Sequence, residues 1–446
     1  MGYLRTAGLL LSCMVFLTSA RANVTLTLEV ASHTEPKSSS NVPKDRQDVW
    51  EVVWGEKWVL LRSDKEVTLL DFDKRRRVVA DLQTKTQVNY SLYDTVGFRL
   101  LELRNRNMLG KAMAAAKIAD VADVGMSALN NQHALAIQET PEAPLLAKTD
   151  GADEVFLDGS TEFFRRSSAG TSVSAEDARM FAKVFRYVLG GHPQILEAMA
   201  RSDAIPSRFV LTTYNAQGTT TRRVSVTSVT RTREATRDFP VFPTRPASAS
   251  TDPVERVLDR AEAITPAESL AARQAVKDAI ATALREGRIL DAYLNILEWT
   301  VMTGEPLPPL SEEQKGRFQA DATAMQMARA LTARTKEELS AAIKTFEETR
   351  QAVGSKAYVL KIFEANNRAL LGDSVAARKL FLEVLDAHPH VTGVYKDLGD
   401  VELTRYNMAG AWRSWDLGRR MEPQFRTLKA VTQWESTLAT GHPEFF

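Results

Sequence analysis

The residues able to do chemistry are few and scattered. Six histidines occur: His33, His133, His192, His388, His390 and His442. Only His388 and His390 are close, and Pro389 between them makes the trio read as a loop rather than a metal site. The chain has no H-E-x-x-H, no glycine-rich phosphate loop and no G-x-S-x-G nucleophile elbow. Asp71 and Asp73 share one face at strand spacing, as paired acid–base carboxylates would. A charged hairpin turn is the better reading of them. The single cysteine, Cys13, lies in the N-terminal apolar segment, so the mature chain is expected to have neither disulfide nor thiolate. No catalytic residue, cofactor or metal ligand is assigned, and an enzyme is not expected. A hydrolase with an unfamiliar site is the third reading, because spatial clusters need leave no pattern in a sequence.

Two basic clusters stand out, Lys74-Arg75-Arg76-Arg77 and Arg222, Arg223, Arg231, Arg233, Arg237. They fit a solvated strand edge. The alternative is a docking patch for an acidic partner or anionic headgroups. The chain as a whole is balanced, with 57 Lys plus Arg against 56 Asp plus Glu, which gives no reason to expect a nucleic-acid or membrane-surface partner.

These residues are carried by three kinds of segment. Residues 1–22 read as a signal peptide: Arg5, an apolar run from Ala7 to Leu17, then the small-x-small site Ala20-Arg21-Ala22. Leu10-Leu11-Ser12-Cys13 offers lipidation at Cys13 as the alternative to cleavage after Ala22. An exported chain with no disulfide is expected in the periplasm or envelope of a bacterium.

Residues 23–238 read as an α+β domain with a largely antiparallel, curved sheet. Val24, Leu26, Leu28 and Val30 alternate with polar residues as in a half-buried strand. Ser32–Arg46 is polar and reads as a loop. Hairpins follow around Gly55, around Asp73-Lys74-Arg75 and around Asp158-Gly159. Val96 to Ile137 turns helical, and Gln138 to Ala152 reads as a connector. Ser174 and Asp177 open a helix with a capping-box arrangement, and Pro193 starts another. A last hairpin turns at Gln217-Gly218. Residues 239–253, with four prolines, read as a linker. Residues 254–446 are helical throughout.

The helical part repeats itself. Ala377, Phe381, Val384 and Pro389 recur as Ala411, Trp415, Gly418 and Pro423, at the same gaps and 34 residues later. Ala342, Phe346, Thr349 and Gly354 fill the slots once before, and Ala292, Ile296, Trp299 and Gly304 once more. This resembles the tetratricopeptide repeat, with helical hairpins near 273–304, 323–355, 358–391 and 392–425 and a capping helix over Arg426–Ala439. Tyr395, Leu398 and Gly399 match that family's first-helix pattern, whereas Lys361 and Glu364 depart from it. The resemblance implies an all-α solenoid that holds a protein or peptide on its concave face. Mapped onto this chain, that face holds Asn366, Leu370, Lys396, Asp400 and Leu403.

A weaker resemblance concerns the strands. The meander with its Asp71-Phe72-Asp73-Lys74 turn is similar to the half-barrel lipoprotein-carrier superfamily, whose members wrap a curved sheet around a hydrophobic cavity. The expected function is an exported, non-enzymatic binding or scaffold protein. The alternative is a periplasmic carrier of lipid or another apolar ligand, with Trp50, Trp54, Trp58 and Phe72 among the lining or core residues.

Overall fold

A computed structural model describes residues 23–36, 44–101, 104–105, 145–190, 192–215, 218–232, 238–305 and 310–446. Residues 1–22, read as a signal peptide, the helical reading between residues 106 and 137, and Gln217, Arg233 and Arg237 lie outside these residues.

Eleven strands form one open antiparallel sheet. The central strand β1 (Asn23–Pro36) lies between β2 (Lys44–Trp54) and β13 (Gly218–Thr232). On the β2 side the chain meanders through β3 (Trp58–Arg62), β4 (Glu66–Asp71), β5 (Arg76–Asp81) and β6 (Thr86–Ser91). On the β13 side follow β12 (Arg208–Asn215), β9 (Thr161–Ser167), β8 (Asp153–Asp158) and the edge strand β7 (Leu146–Asp150). β10 (Gly170–Ser172) and β11 (Ala204–Pro206) pair separately.

Two sequence expectations are corrected. Ser32–Arg46 is not a loop for most of its length, because β1 runs to Pro36 and pairs with β2 back to Lys44. Backbone pairing needs no apolar side chain, so these polar arms gave no strand signal. The supposed connector Gln138–Ala152 contains β7, whose five residues are all exposed and therefore show no alternation.

One sheet face is filled by helices α1 (Ala175–Val188) and α2 (Pro193–Ala200). Phe164, Phe181, Phe185 and Phe209 pack ring to ring there, with Trp54 against Phe181. Ser174 caps α1 by accepting from the Asp177 amide at 3.1 Å. The other face is covered over Val53, Leu60, Val67 and Ala80 by Phe239 and Phe242. The proline-rich stretch thus lies along the sheet. Gln87 of β6 donates its amide to Pro243 O (2.9 Å) and accepts from the Arg245 amide (3.0 Å).

The rest is helical: α3 (Pro253–Glu262), α4 (Pro266–Arg285), α5 (Ile289–Thr303), α6 (Glu312–Ala320), α7 (Ala322–Ala330), α8 (Lys336–Thr349), α9 (Ala357–Leu370), α10 (Ser374–Ala387), α11 (Thr392–Thr404), α12 (Met408–Met421) and α13 (Lys429–Gly441). The matched slots Ala292/Ile296, Ala342/Phe346, Ala377/Phe381 and Ala411/Trp415 are all buried. This all-helical region fits a helical repeat. Gly399 lies under the Trp415 ring, where any added Cβ would collide with the indole. Glu364, in the slot where leucine was expected, is only 2% exposed and holds Arg350 and Arg368 at 2.8 Å each. The departure from the pattern is therefore a buried ion pair, with Ala365 beside it fully buried.

Candidate functional site

The five residues expected to face a partner fall into two groups. Asn366 donates its side-chain amide to Asp397 Oδ2 at 3.0 Å, and Lys396 pairs with Asp400. The Trp415 indole donates to both Lys396 O (3.1 Å) and Asp400 Oδ1 (3.2 Å). These groups satisfy one another across α9, α11 and α12. Burial pushes the Asp397 carboxyl up to about 6, against the lowering effect of the Asn366 hydrogen bond and the Lys396 charge. The first helices of the last two pairs are also not bare. α5 crosses α11 so closely that a Cβ on Gly393 would lie 2.5 Å from Val301 O. Leu403 is half-buried in a cluster with Phe98, Leu100 and Leu101 of the helical segment 93–101.

Leu370 differs from the other four. It is 72% exposed at the end of α9. Val375, across the Gly372 turn at the start of α10, is 67% exposed. Gly372 adopts φ of 87°, a left-handed conformation that glycine supplies without strain. The hairpin tip therefore carries two large apolar side chains in solvent.

The histidine loop follows α10, as read from the sequence. His388 stacks on Tyr358 at 3.6 Å, and Glu298 beneath accepts from the Tyr358 hydroxyl and pairs with Lys356. Burial lowers the His388 pKa. The group borders a cleft of about 450 Å³ floored by Ala272, Ala275 and Ala279 of α4. No group of three or more potential metal ligands occurs among the described residues. Asp71 accepts from the Lys74 amide at 2.9 Å and Asp73 pairs with Lys57, which is the turn expected of them.

The first basic cluster is not a sheet edge, because β5 lies between β4 and β6, and its three arginines are partnered. Arg75 donates to the Tyr93 hydroxyl (2.8 Å), Arg76 pairs with Asp416 of α12, and Arg77 pairs with the buried Asp94 (2.7 Å). These arginines join the sheet to the helices. Beside them is a buried hub that no local sequence signal announces. Asp259 accepts from Arg245 (2.6 Å) and Arg413 (3.0 Å), and Glu255 accepts from the same two (2.5 and 2.6 Å). Arg413 also lies over the ring of Tyr90 in β6. In the second cluster, Arg231 pairs with Asp177 at 3.2 Å and Arg223 is exposed. Arg222 is half-buried.

Of the aromatic residues weighed for a ligand cavity, Trp54 and Phe72 are packed into the α1 core. Trp58 lies on the opposite face. Trp50 borders a cleft of about 370 Å³ where the sheet extends past the end of α1, together with Leu61, Val188, Arg46, Asp48 and Arg62.

The arrangement defines a multidomain α+β protein: an open antiparallel sheet with two packed helices, followed by a helical region. No protein-family model matches the chain, and no curated protein is significantly similar to it. A solved structure described as "lipid-protein interactions in lipovitellin" aligns with 90% of this chain at 9% identity and a TM-score of 0.20. The chain spans about half (53%) of the length of that one. A likeness that low assigns neither a fold nor a ligand.

Proposed function

We propose that this protein is an exported, non-enzymatic binding or scaffold protein of the bacterial envelope, and that a tetratricopeptide-type helical array holds its protein or peptide partner. The observation that carries this reading is the apolar tip of the α9–α10 hairpin. Leu370 and Val375 place two large apolar side chains in solvent on either side of one turn, in the part of the chain whose buried slots follow the repeat spacing. The polar row of Asn366, Lys396 and Asp400 lies behind it and acts through shape and charge rather than as a clamp, because its groups are already paired. The test is affinity capture from an envelope extract with the full-length protein and the double variant L370D/V375D. Loss of a captured partner from the variant supports the reading, and an unchanged set of partners removes it.

A second reading has its own observation. The cleft of about 370 Å³ at the open end of the sheet face falls within the size range of small-molecule sites, and it carries Trp50, Leu61 and Val188 beside polar and charged residues that include Arg46, Asp48, Arg62 and Lys65. This favours an apolar or lipid-like ligand on the N-terminal sheet. Native mass spectrometry of the purified full chain tests it, with a retained lipid as the supporting result and a bare protein mass as the opposing one.

A further inference from the structure

Directly opposed residues in an antiparallel sheet project from the same face, so the register maps how the ligand-facing surface changes along the strands. Leu28 of β1 is flanked by Trp50 of β2 and Val226 of β13. Two residues on, Val30 is flanked by Asp48 and Val224. Two further, Ser32 is flanked by Arg46 and Arg222. The face thus passes from an apolar row to a basic one within about 13 Å. Beyond Arg222 lies Leu211 of β12, which is buried in the core, so one flank of the arginine is dry.

Arg222 lies on this face two strands from Trp50, beyond the lining of the cleft itself, and two arginines that do line the cleft have counter-charges. Arg46 pairs with Asp48 at 2.6 Å. Arg62 is met by Glu51 and Asp238 at 3.3 Å each. Among the described residues the Arg222 side chain makes no hydrogen bond and no ion pair, and burial lowers its pKa. A half-buried guanidinium without a counter-charge is costly, and an anion brought by a ligand relieves that cost through charge-assisted hydrogen bonds.

We propose that the open end of the sheet face binds an amphiphile with an anionic head, Arg222 receiving its phosphate or carboxylate and Trp50, Leu61 and Val188 receiving the adjoining part of its apolar tail. This rests on the second reading above, of a ligand carried on the N-terminal sheet. A neutral apolar ligand would leave Arg222 unpaired, and a free anion would leave the apolar row uncovered.

The test is equilibrium dialysis of the full chain against dodecyl phosphate, 1-dodecanol and inorganic phosphate, each kept monomeric. Wild type, R222Q, R222K and R223Q are compared, Arg223 being the exposed neighbour on the opposite face. Dodecyl phosphate is expected to bind wild type, R222K and R223Q alike and R222Q about tenfold more weakly, while dodecanol binding is the same in all four. Dodecyl phosphate binding R222Q as tightly as wild type overturns the head-group site but leaves the carrier reading standing. Inorganic phosphate binding as tightly as dodecyl phosphate overturns the amphiphile in favour of a free anion. If neither alkyl probe binds, the proposal and the carrier reading both fall.

Discussion

Removing one carboxylate from the buried hub should loosen the attachment of the helices to the sheet. Asp259 is 3% exposed and takes hydrogen bonds from Arg245 at 2.6 and 3.1 Å and from Arg413 at 3.0 Å. Arg413 is itself only 3% exposed. In D259A the two arginines would share Glu255, with only the more distant Glu262 (3.9 Å from Arg413) beside it, leaving positive charge poorly compensated away from water. Breaking a buried pair by deleting one partner costs roughly 3–5 kcal/mol. Because Glu255 still holds both arginines, the lower end applies, about 3 kcal/mol. Urea unfolding followed by tryptophan fluorescence reads this well, since Trp412 and Trp415 lie on the same helix as Arg413. A double-mutant cycle with R413A should give a coupling of about 1 kcal/mol or more. A D259A destabilisation below about 0.5 kcal/mol, the scale of ordinary surface changes, would refute the view that this hub secures the interface.

Two further outcomes follow from single residues. Gly97 of segment 93–101 lies flat against the Trp412 ring, so G97V should destabilise the protein by about 1–3 kcal/mol, and unaltered urea stability would count against that packing. His192 is buried and accepts from the Gln194 amide at the start of α2, and burial holds its pKa near 4 instead of 6.5. The unfolded chain therefore takes up the proton first, and stability falls as pH drops from about 6.5 towards 4. H192N keeps the cap acceptor and should lose less stability than wild type between pH 7 and 4.5, whereas parallel losses would contradict this origin of acid sensitivity.

Where a local pattern decided the structure, the sequence was informative. Asp158-Gly159 is a hairpin turn, Ser174 and Thr265 cap helices, and the Ala–Phe and Ala–Trp slots are buried. Each depends on residues within one or two turns of chain. The features that escaped lack such a signal. β7 is exposed on both faces, so it shows no alternation. The approach of α5 to α11 depends on Gly393 meeting Val301, a contact between distant segments. The hub joins Arg413 to Glu255 and Asp259 across 158 and 154 residues. Arg76 and Arg77 looked like part of a surface run because their acceptors Asp416 and Asp94 lie on other elements. Among the candidate partner residues, Leu370 is exposed at the end of α9. The mutual pairing of Asn366, Lys396 and Asp400 with α11 and α12 groups could be seen only once those helices were placed together.

Site-specific photo-cross-linking tests the central claim, that a partner docks on the α9–α10 tip, most directly. A photoreactive phenylalanine analogue is placed at position 370 and, as a control, at Lys344, an exposed residue of α8. After irradiation in cells, the account predicts a discrete higher-mass adduct from position 370 and none from position 344. No adduct at 370, or equal adducts at both positions, would contradict it.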